Sequence, residues 1–371
     1  MAARLPPLDR YLPLWIGLAM ATGLVLGRLI ADLDHSLERV KVDTVSLPIA
    51  IGLLAMMYPV LAKVRYRHIG DELTDRRALA LSLVMNWLVG PLLMFTLAWM
   101  FLADLPELRT GLIVVGLARC IAMVLIWNDL ACGSRELAAV LVAMNSLFQI
   151  AMYSVLAWFY LSVLPSWLGL DAAQLDVSLW AIAKSVIIFL GIPLAAGFLT
   201  RTILEARRGT EWYEDRFLPR IAPVALWGLL FTIVVLFALQ GKQITNHPLD
   251  VARVALPLLA YFALMWTGSF VLGYRYRFPY ERNASIAFTA AGNNFELAIA
   301  VSIAVFGVTS GQALAGTIGP LIEVPALVAL VYVALWAKRR FYRDNSLITP
   351  TSGSASSARG PGVREGRHHA P

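Results

Sequence analysis

Residues 111–130 read GLIVVGLARCIAMVLIWNDL. At about 1.5 Å per residue, a helix of this length reaches across a hydrocarbon core roughly 30 Å thick. Yet Arg119 and Cys120 sit side by side near its middle. A charged side chain at that depth costs about 3 kcal/mol or more unless it faces a cavity or a partner. The stretch therefore predicts a site inside a membrane, and the remainder of the chain predicts the scaffold around it.

Composition agrees. The 371 residues are 59% hydrophobic and 15% charged, against about a quarter charged in soluble domains, and mean hydropathy is +0.69. The fold class expected is an all-α polytopic membrane protein. Its net charge of +7 fits Lys- and Arg-rich cytoplasmic connections, so the lipid bilayer is the partner expected and nucleic acid is not. Two cysteines, Cys120 and Cys132, cannot build a disulfide framework. The histidines are scattered, so no zinc site and no cofactor are expected. No GxxxxGK[ST] motif is present, which argues against ATP drive within the chain. The basic N-terminus lacks a cleavage site and reads as a retained first span.

Ten apolar stretches are long enough to span: roughly 11–31, 44–62, 78–102, 110–129, 136–164, 178–200, 221–240, 252–274, 283–307 and 311–337. Lys and Arg set their orientation. Connections 63–77 and 201–220 carry five each, 275–282 carries three and the tail from Lys338 carries seven, whereas the alternate connections carry one or none. Both termini are then cytoplasmic in a multi-pass plasma-membrane protein. Residues 346–371, rich in Ser, Gly and Pro, read as a disordered cytoplasmic tail after a transporter unit of 1–345. Ten spans divide into five and five, and an odd-numbered unit duplicates in inverted orientation. Repeat one would cover about 11–164 and repeat two about 178–337. Cys120 and Glu296, 176 positions apart, would mark matching places in the two halves.

The ninth stretch, NASIAFTAAGNNFELAIAVSIAVFG, is interrupted by Gly292, Asn293, Asn294 and Glu296. Interrupted spans at matching positions in two halves point to a transport site. The alternative is that these polar groups pair with each other and lock helices together. Cys120 taken alone is a small hydrophobe; Arg119 beside it suggests a reactive sulfur, provided local unwinding brings the two together. A soft sulfur suits a thiophilic substrate. Glu296 reads as a substrate contact or proton carrier, with a fixed Glu296–Arg119 ion pair as the alternative. Asn145 and Gln149, four apart, share a helix face and serve either the site or helix–helix adhesion. Glu323, between Pro320 and Pro325, is a second intramembrane carboxylate. Pro91, Pro193 and Pro257 shape helices, and Lys184 and Arg253 snorkel from span ends.

The stretches GLARCIAMVLIWNDLACG, LVAMNSLFQ, FTAAGNNFELAIAVSIAVFG and SGQALAGTIGPLIEVPALVALV resemble the arsenite efflux permeases of the bile acid/arsenite/riboflavin transporter superfamily. The likeness runs to about Arg343. It implies ten helices in two inverted five-helix repeats, with broken fourth and ninth helices crossing in a core domain beside a panel domain. It implies efflux of trivalent arsenic in exchange for protons, conferring arsenical resistance, and leaves antimonite open. Such a protein is no enzyme. The family's essential cysteine falls on Cys120, which would take arsenic(III) as substrate, and its essential glutamate on Glu296. Its motifs make Arg119, Asn293, Asn294 and Glu323 helpers. Cys132 is either a ligand on the way in or nothing. The competing reading is a sodium-coupled organic-anion symporter of the same superfamily, which needs more oxygen ligands and no thiol. A membrane thiol enzyme is disfavoured because no base neighbours Cys120.

Overall fold

The computed structural model describes residues 12–30, 41–42, 45–64, 75–170, 178–246 and 248–342. The tail expected to be disordered at 346–371, and most of the basic connection 63–77, lie outside them. Among the described residues the chain is helical, apart from a two-stranded ribbon at 41–46. We number the helices α1 (Leu12–Leu29), α2 (Leu47–Ala62), α3 (Arg76–Phe101), α4 (Pro106–Leu117), α5 (Met123–Leu130), α6 (Arg135–Trp167) and α7 (Leu179–Arg208). After a short lead-in at 210–217 come α8 (Leu218–Asn246), α9 (Pro248–Arg275), α10 (Tyr280–Ala291), α11 (Phe295–Phe306) and α12 (Gly311–Phe341).

Among the described residues each of the ten apolar stretches is mainly helical, eight of them as one continuous run and two interrupted. Among the described residues, six helical runs are long and apolar enough to cross a membrane, and α1, α2 and α11 are shorter apolar helices. Large apolar side chains such as Leu88, Trp180, Leu264 and Tyr332 are exposed on the outer surface. That surface would aggregate in water and is the expected one against lipid.

Prolines set the shape of four helices. Gly90, Leu164, Ile192 and Leu218 each donate their N–H to the carbonyl five residues back, making one widened turn apiece. Each is followed at once by proline, Pro91, Pro165, Pro193 or Pro219. Proline has no N–H and its ring clashes with the carbonyl four back. The helix relieves this by taking up one extra residue per turn, so it bends without breaking.

The helices pack in two groups. α8 lies along α1 and α2, and the second half of α7 also packs on α2. Small residues, Gly23 and Gly27 on α1 against Val234 and Ala238 on α8, let these helices approach closely. The second group holds α3 to α6 and α9 to α12, with α12 against α4, α9 and α11, and α10 against α6 and α9.

Arg253, near the start of α9, reaches the turn between α3 and α4, where it forks onto both carboxylate oxygens of Asp104 and donates to the Phe101 carbonyl at 3.2 Å. This hydrogen-bonded guanidinium holds the Asp104 carboxyl below its usual range.

Candidate functional site

α4 ends at Leu117 and α5 begins at Met123; residues 118–122 between them leave the helical path. α10 ends at Ala291 and α11 begins at Phe295. Both interruptions occur at the sequence's polar insertions, and they meet. Arg119 and Asn293 form an isolated antiparallel bridge. The Cys120 N–H donates to the Gly292 carbonyl at 3.2 Å, and the Asn294 N–H donates to the Ala118 carbonyl at 3.0 Å. Backbone freed from helix at membrane depth must find partners inside the protein, and here each break satisfies the other. Gly292 is required by this proximity: a Cβ there would lie 2.9 Å from Cys120 Cβ. In this antiparallel register Arg119 lies opposite Asn293 and Cys120 opposite Gly292, so Glu296 stands beyond the paired segment.

Four half-helices therefore point their ends at one place, and their dipoles sort the charges. Arg119 is fully buried. Its guanidinium donates to the Gly116 carbonyl, to the Ala290 carbonyl at 3.5 Å and to Tyr261 Oη at 2.6 Å. Gly116 and Ala290 lie in the last turns of α4 and α10, where each helix presents roughly half a negative charge. Arg119 is thus a cation held between two helix C-termini. No salt bridge joins it to Glu296 among the described residues, and its side chain is directed away from the Cys120 sulfur it was expected to tune. Gly90, after the widened turn of α3, makes room for it: a Cβ there would lie 2.8 Å from Arg119 Nη1 and 3.0 Å from Tyr261 Oη. Gly90→Ala should therefore cost about 1–3 kcal/mol by overpacking, seen as a lower melting temperature of the purified protein. Gly268→Ala, whose nearest neighbour would be Met85 Cε at 4.0 Å, should leave melting unchanged.

The acidic groups gather at the other pair of ends, the N-termini. Cys120 stands just ahead of the first turn of α5, and Glu296 lies in the first turn of α11. Glu323 of α12 is fully buried. Asn294 Oδ1 caps α11 by accepting the Leu297 N–H at 3.0 Å. Several polar atoms here have no hydrogen-bond partner among the described residues: both ends of the Asn293 amide, Asn294 Nδ2 and Glu323 Oε1. Buried amides and carboxyls are rarely left so, and several in one place make a cluster able to bind a small hydroxylated solute.

Beside the cluster lies a cavity of about 280 Å³ between the two helix groups. Met56 and Val60 of α2 and Ala225, Leu226 and Leu229 of α8 form one wall; Met123, Ile126 and Asp129 of α5 and Glu296 of α11 form the other. Glu296, half-buried, is the expected site residue that reaches this cavity. Cys120, 3% exposed, lies one layer behind, next to the lining residues Ala122 and Met123. Asn293, Asn294 and Glu323 are likewise buried and outside the lining. Asn145 stands apart, accepting the Trp87 indole N–H at 3.1 Å. Gln149 holds the Arg119 backbone. Cys132 is exposed in the turn after α5, outside the cavity lining. Sequence reading missed Tyr261, whose signal, one hydroxyl in an apolar helix, is too common to single out.

A family model described as the Sodium Bile acid symporter family matches residues 50–247, just over half of the chain. The chain is 57% identical over 354 residues to the arsenical-resistance protein Acr3 of Corynebacterium glutamicum, covering 95% of this chain and 96% of that protein. It is 29% identical to the arsenical-resistance protein Acr3 of Alkaliphilus metalliredigens, covering 88% and 92%. It is 35% identical to an uncharacterized transporter of Synechocystis, covering 91% and 90%.

Proposed function

Since the chain belongs to the Sodium Bile acid symporter family and, within it, to the Acr3 arsenical-resistance transporters, we propose that it exports arsenite in exchange for protons. It is an integral membrane transporter and not an enzyme. The observation that carries the reading is the pairing of two broken helices, which sets the Cys120 strand against that of Asn293, whose side-chain amide has no hydrogen-bond partner among the described residues, three residues before the cavity-lining Glu296.

In this reading ten helices cross the membrane as two inverted five-helix repeats within residues 1–345, with both termini cytoplasmic. α1, α2, α7 and α8 form a panel; α3 to α6 and α9 to α12 form a core. The cavity opens inward: Lys63, at the start of the basic connection, lines it. Toward the other end, Gln240 of α8 donates to the Val308 carbonyl at 3.0 Å and ties the two groups together.

Arsenous acid enters this cavity, whose walls are mostly apolar, as suits a neutral solute. The Cys120 thiol takes the place of one hydroxyl: an As–S bond forms, and the As–OH leaves as water with the thiol proton. Asn293, Asn294 and Glu296 hydrogen-bond the remaining hydroxyls, and Glu323 supports them. The core then moves against the panel and exposes the cluster outward. Water reverses the bond, returning the proton to sulfur. Glu296 takes a proton outside and carries it inward as the empty core returns. One sulfur suits a carrier, because a three-thiolate site would hold arsenic too tightly to release it. Cys132 has no part.

The driving ion is tested in everted vesicles. Arsenite accumulation should collapse with a protonophore and be indifferent to sodium. Sodium dependence with indifference to protonophore would replace this reading with organic-anion symport. Adding antimonite as competitor decides whether the site takes both.

A further inference from the structure

The strand that carries Cys120 has two edges. One pairs with residues 292–294. The other would leave the Arg119 N–H and carbonyl bare in the middle of the core, and no backbone meets them there. Gln149 of α6 does: the Arg119 N–H donates to Gln149 Oε1 at 3.0 Å, and Gln149 Nε2 donates to the Arg119 carbonyl at 3.0 Å. A primary amide is the neutral side chain that offers one donor and one acceptor at the spacing of a peptide group. Gln149 is fully buried, so water does not compete. One turn on, Tyr153 Oη donates to the Val114 carbonyl at 2.8 Å, near the end of α4. This face of α6 is a rail along which the broken helix lies.

The other break has a weaker counterpart. Glu323 stands 174 positions after Gln149, the separation of Asn293 from Arg119 (323 less 149; 293 less 119). Glu323 is fully buried and its Oε1 has no hydrogen-bond partner among the described residues, so the two-pointed clamp is seen at the cysteine strand.

We infer that Gln149 is a positioning residue for Cys120: its amide acts as the missing neighbouring strand and fixes residues 118–120 so that the sulfur stays at the N-terminus of α5. The inference rests on Cys120 being the arsenic ligand, and the test separates the two claims. Gln149→Glu keeps size and shape. When protonated, the new carboxyl supplies the same donor and acceptor; when ionised, it supplies acceptors only and opposes the Arg119 carbonyl. The variant is made in the full chain carrying Cys132→Ser, so that Cys120 is the sole cysteine.

Two quantities are read across about pH 5 to 9, each as a ratio to the Gln149 protein: labelling of Cys120 by a small neutral maleimide, and KM for arsenite in vesicles. The labelling ratio should start near one and change about 10-fold as pH rises. The KM ratio should rise in parallel by about 10- to 100-fold, the usual cost of losing a group that orients a ligand, with maximal rate less affected. A helix-adhesion role would give ratios independent of pH. Gln149→Leu, which removes both hydrogen bonds, should show the altered labelling at every pH, and Gln149→Met stands in for it if it does not fold. Parental labelling in that apolar variant overturns the inference whatever transport does, since a Glu that burial keeps protonated still holds the strand. Altered labelling with an unchanged KM upholds the positioning of Cys120 and overturns its place in arsenite binding.

Discussion

Everted membrane vesicles bearing Cys120→Ser are expected to take up arsenite at background rate, a loss of about 100-fold or more. Serine matches cysteine in shape and leaves the surrounding packing as it is, so the protein should reach the membrane in normal amount. What is lost is sulfur, the soft donor that arsenic(III) prefers over oxygen. Cys132→Ser, in an exposed turn away from the cavity, should transport like the parent. Glu296→Gln removes the carboxyl that lines the cavity while keeping its size. Its uptake driven by an imposed pH gradient should fall equally, whereas exchange of arsenite for arsenite should survive better, because exchange needs binding but no net proton movement. Parental gradient-driven uptake by either variant would remove that residue from the mechanism.

The two interruptions were legible in the sequence because Arg, Asn and Glu within apolar runs are too costly to lie there idle. So were the helices, since a 20-residue apolar run has few other solutions. What was not legible is which atoms answer which. Arg119 invited a carboxylate partner because side chains are visible in a sequence and helix ends are not; its actual acceptors are backbone carbonyls of Gly116 and Ala290, and these exist only once two helices stop beside each other. Gln149 was recognised as sharing a helix face with Asn145, for the site or for helix–helix adhesion, but its role as a substitute strand required the Arg119–Asn293 register, which no spacing rule supplies. The 176-residue offset between Cys120 and Glu296 was close to the 174 of the bridged pair, but which residues face each other is set by the bridge register, which puts Gly292 against Cys120. The widened turns escaped notice because proline predicts a bend without saying whether the helix will kink or take up a residue.

Removing the cation at the crossing should destabilise the protein more than any other single change considered. In Arg119→Met the apolar stem is retained and the guanidinium is lost. The Gly116 and Ala290 carbonyls and the Tyr261 hydroxyl lose their common partner in a place that is fully buried, and two helix C-termini are left facing each other. Breaking one side of such a buried charge arrangement costs about 3–5 kcal/mol. The expected result is a sharp drop in yield and melting temperature in detergent, independent of arsenite. Arg119→Lys restores the charge but not the fork, so a single ammonium must serve acceptors on two helices and should recover only part of the loss. Tyr261→Phe removes one hydrogen bond to a charged group and should cost about 1.5–3 kcal/mol. The order Met, Lys, parent in thermal stability follows if the charge answers the helix ends. If Met and Lys variants melt alike, the guanidinium acts through its shape and hydrogen bonds alone, and the dipole account of the crossing fails. A Met variant that melts with the parent would mean that neither matters, and that the two broken helices are held together by their backbone bridge and packing.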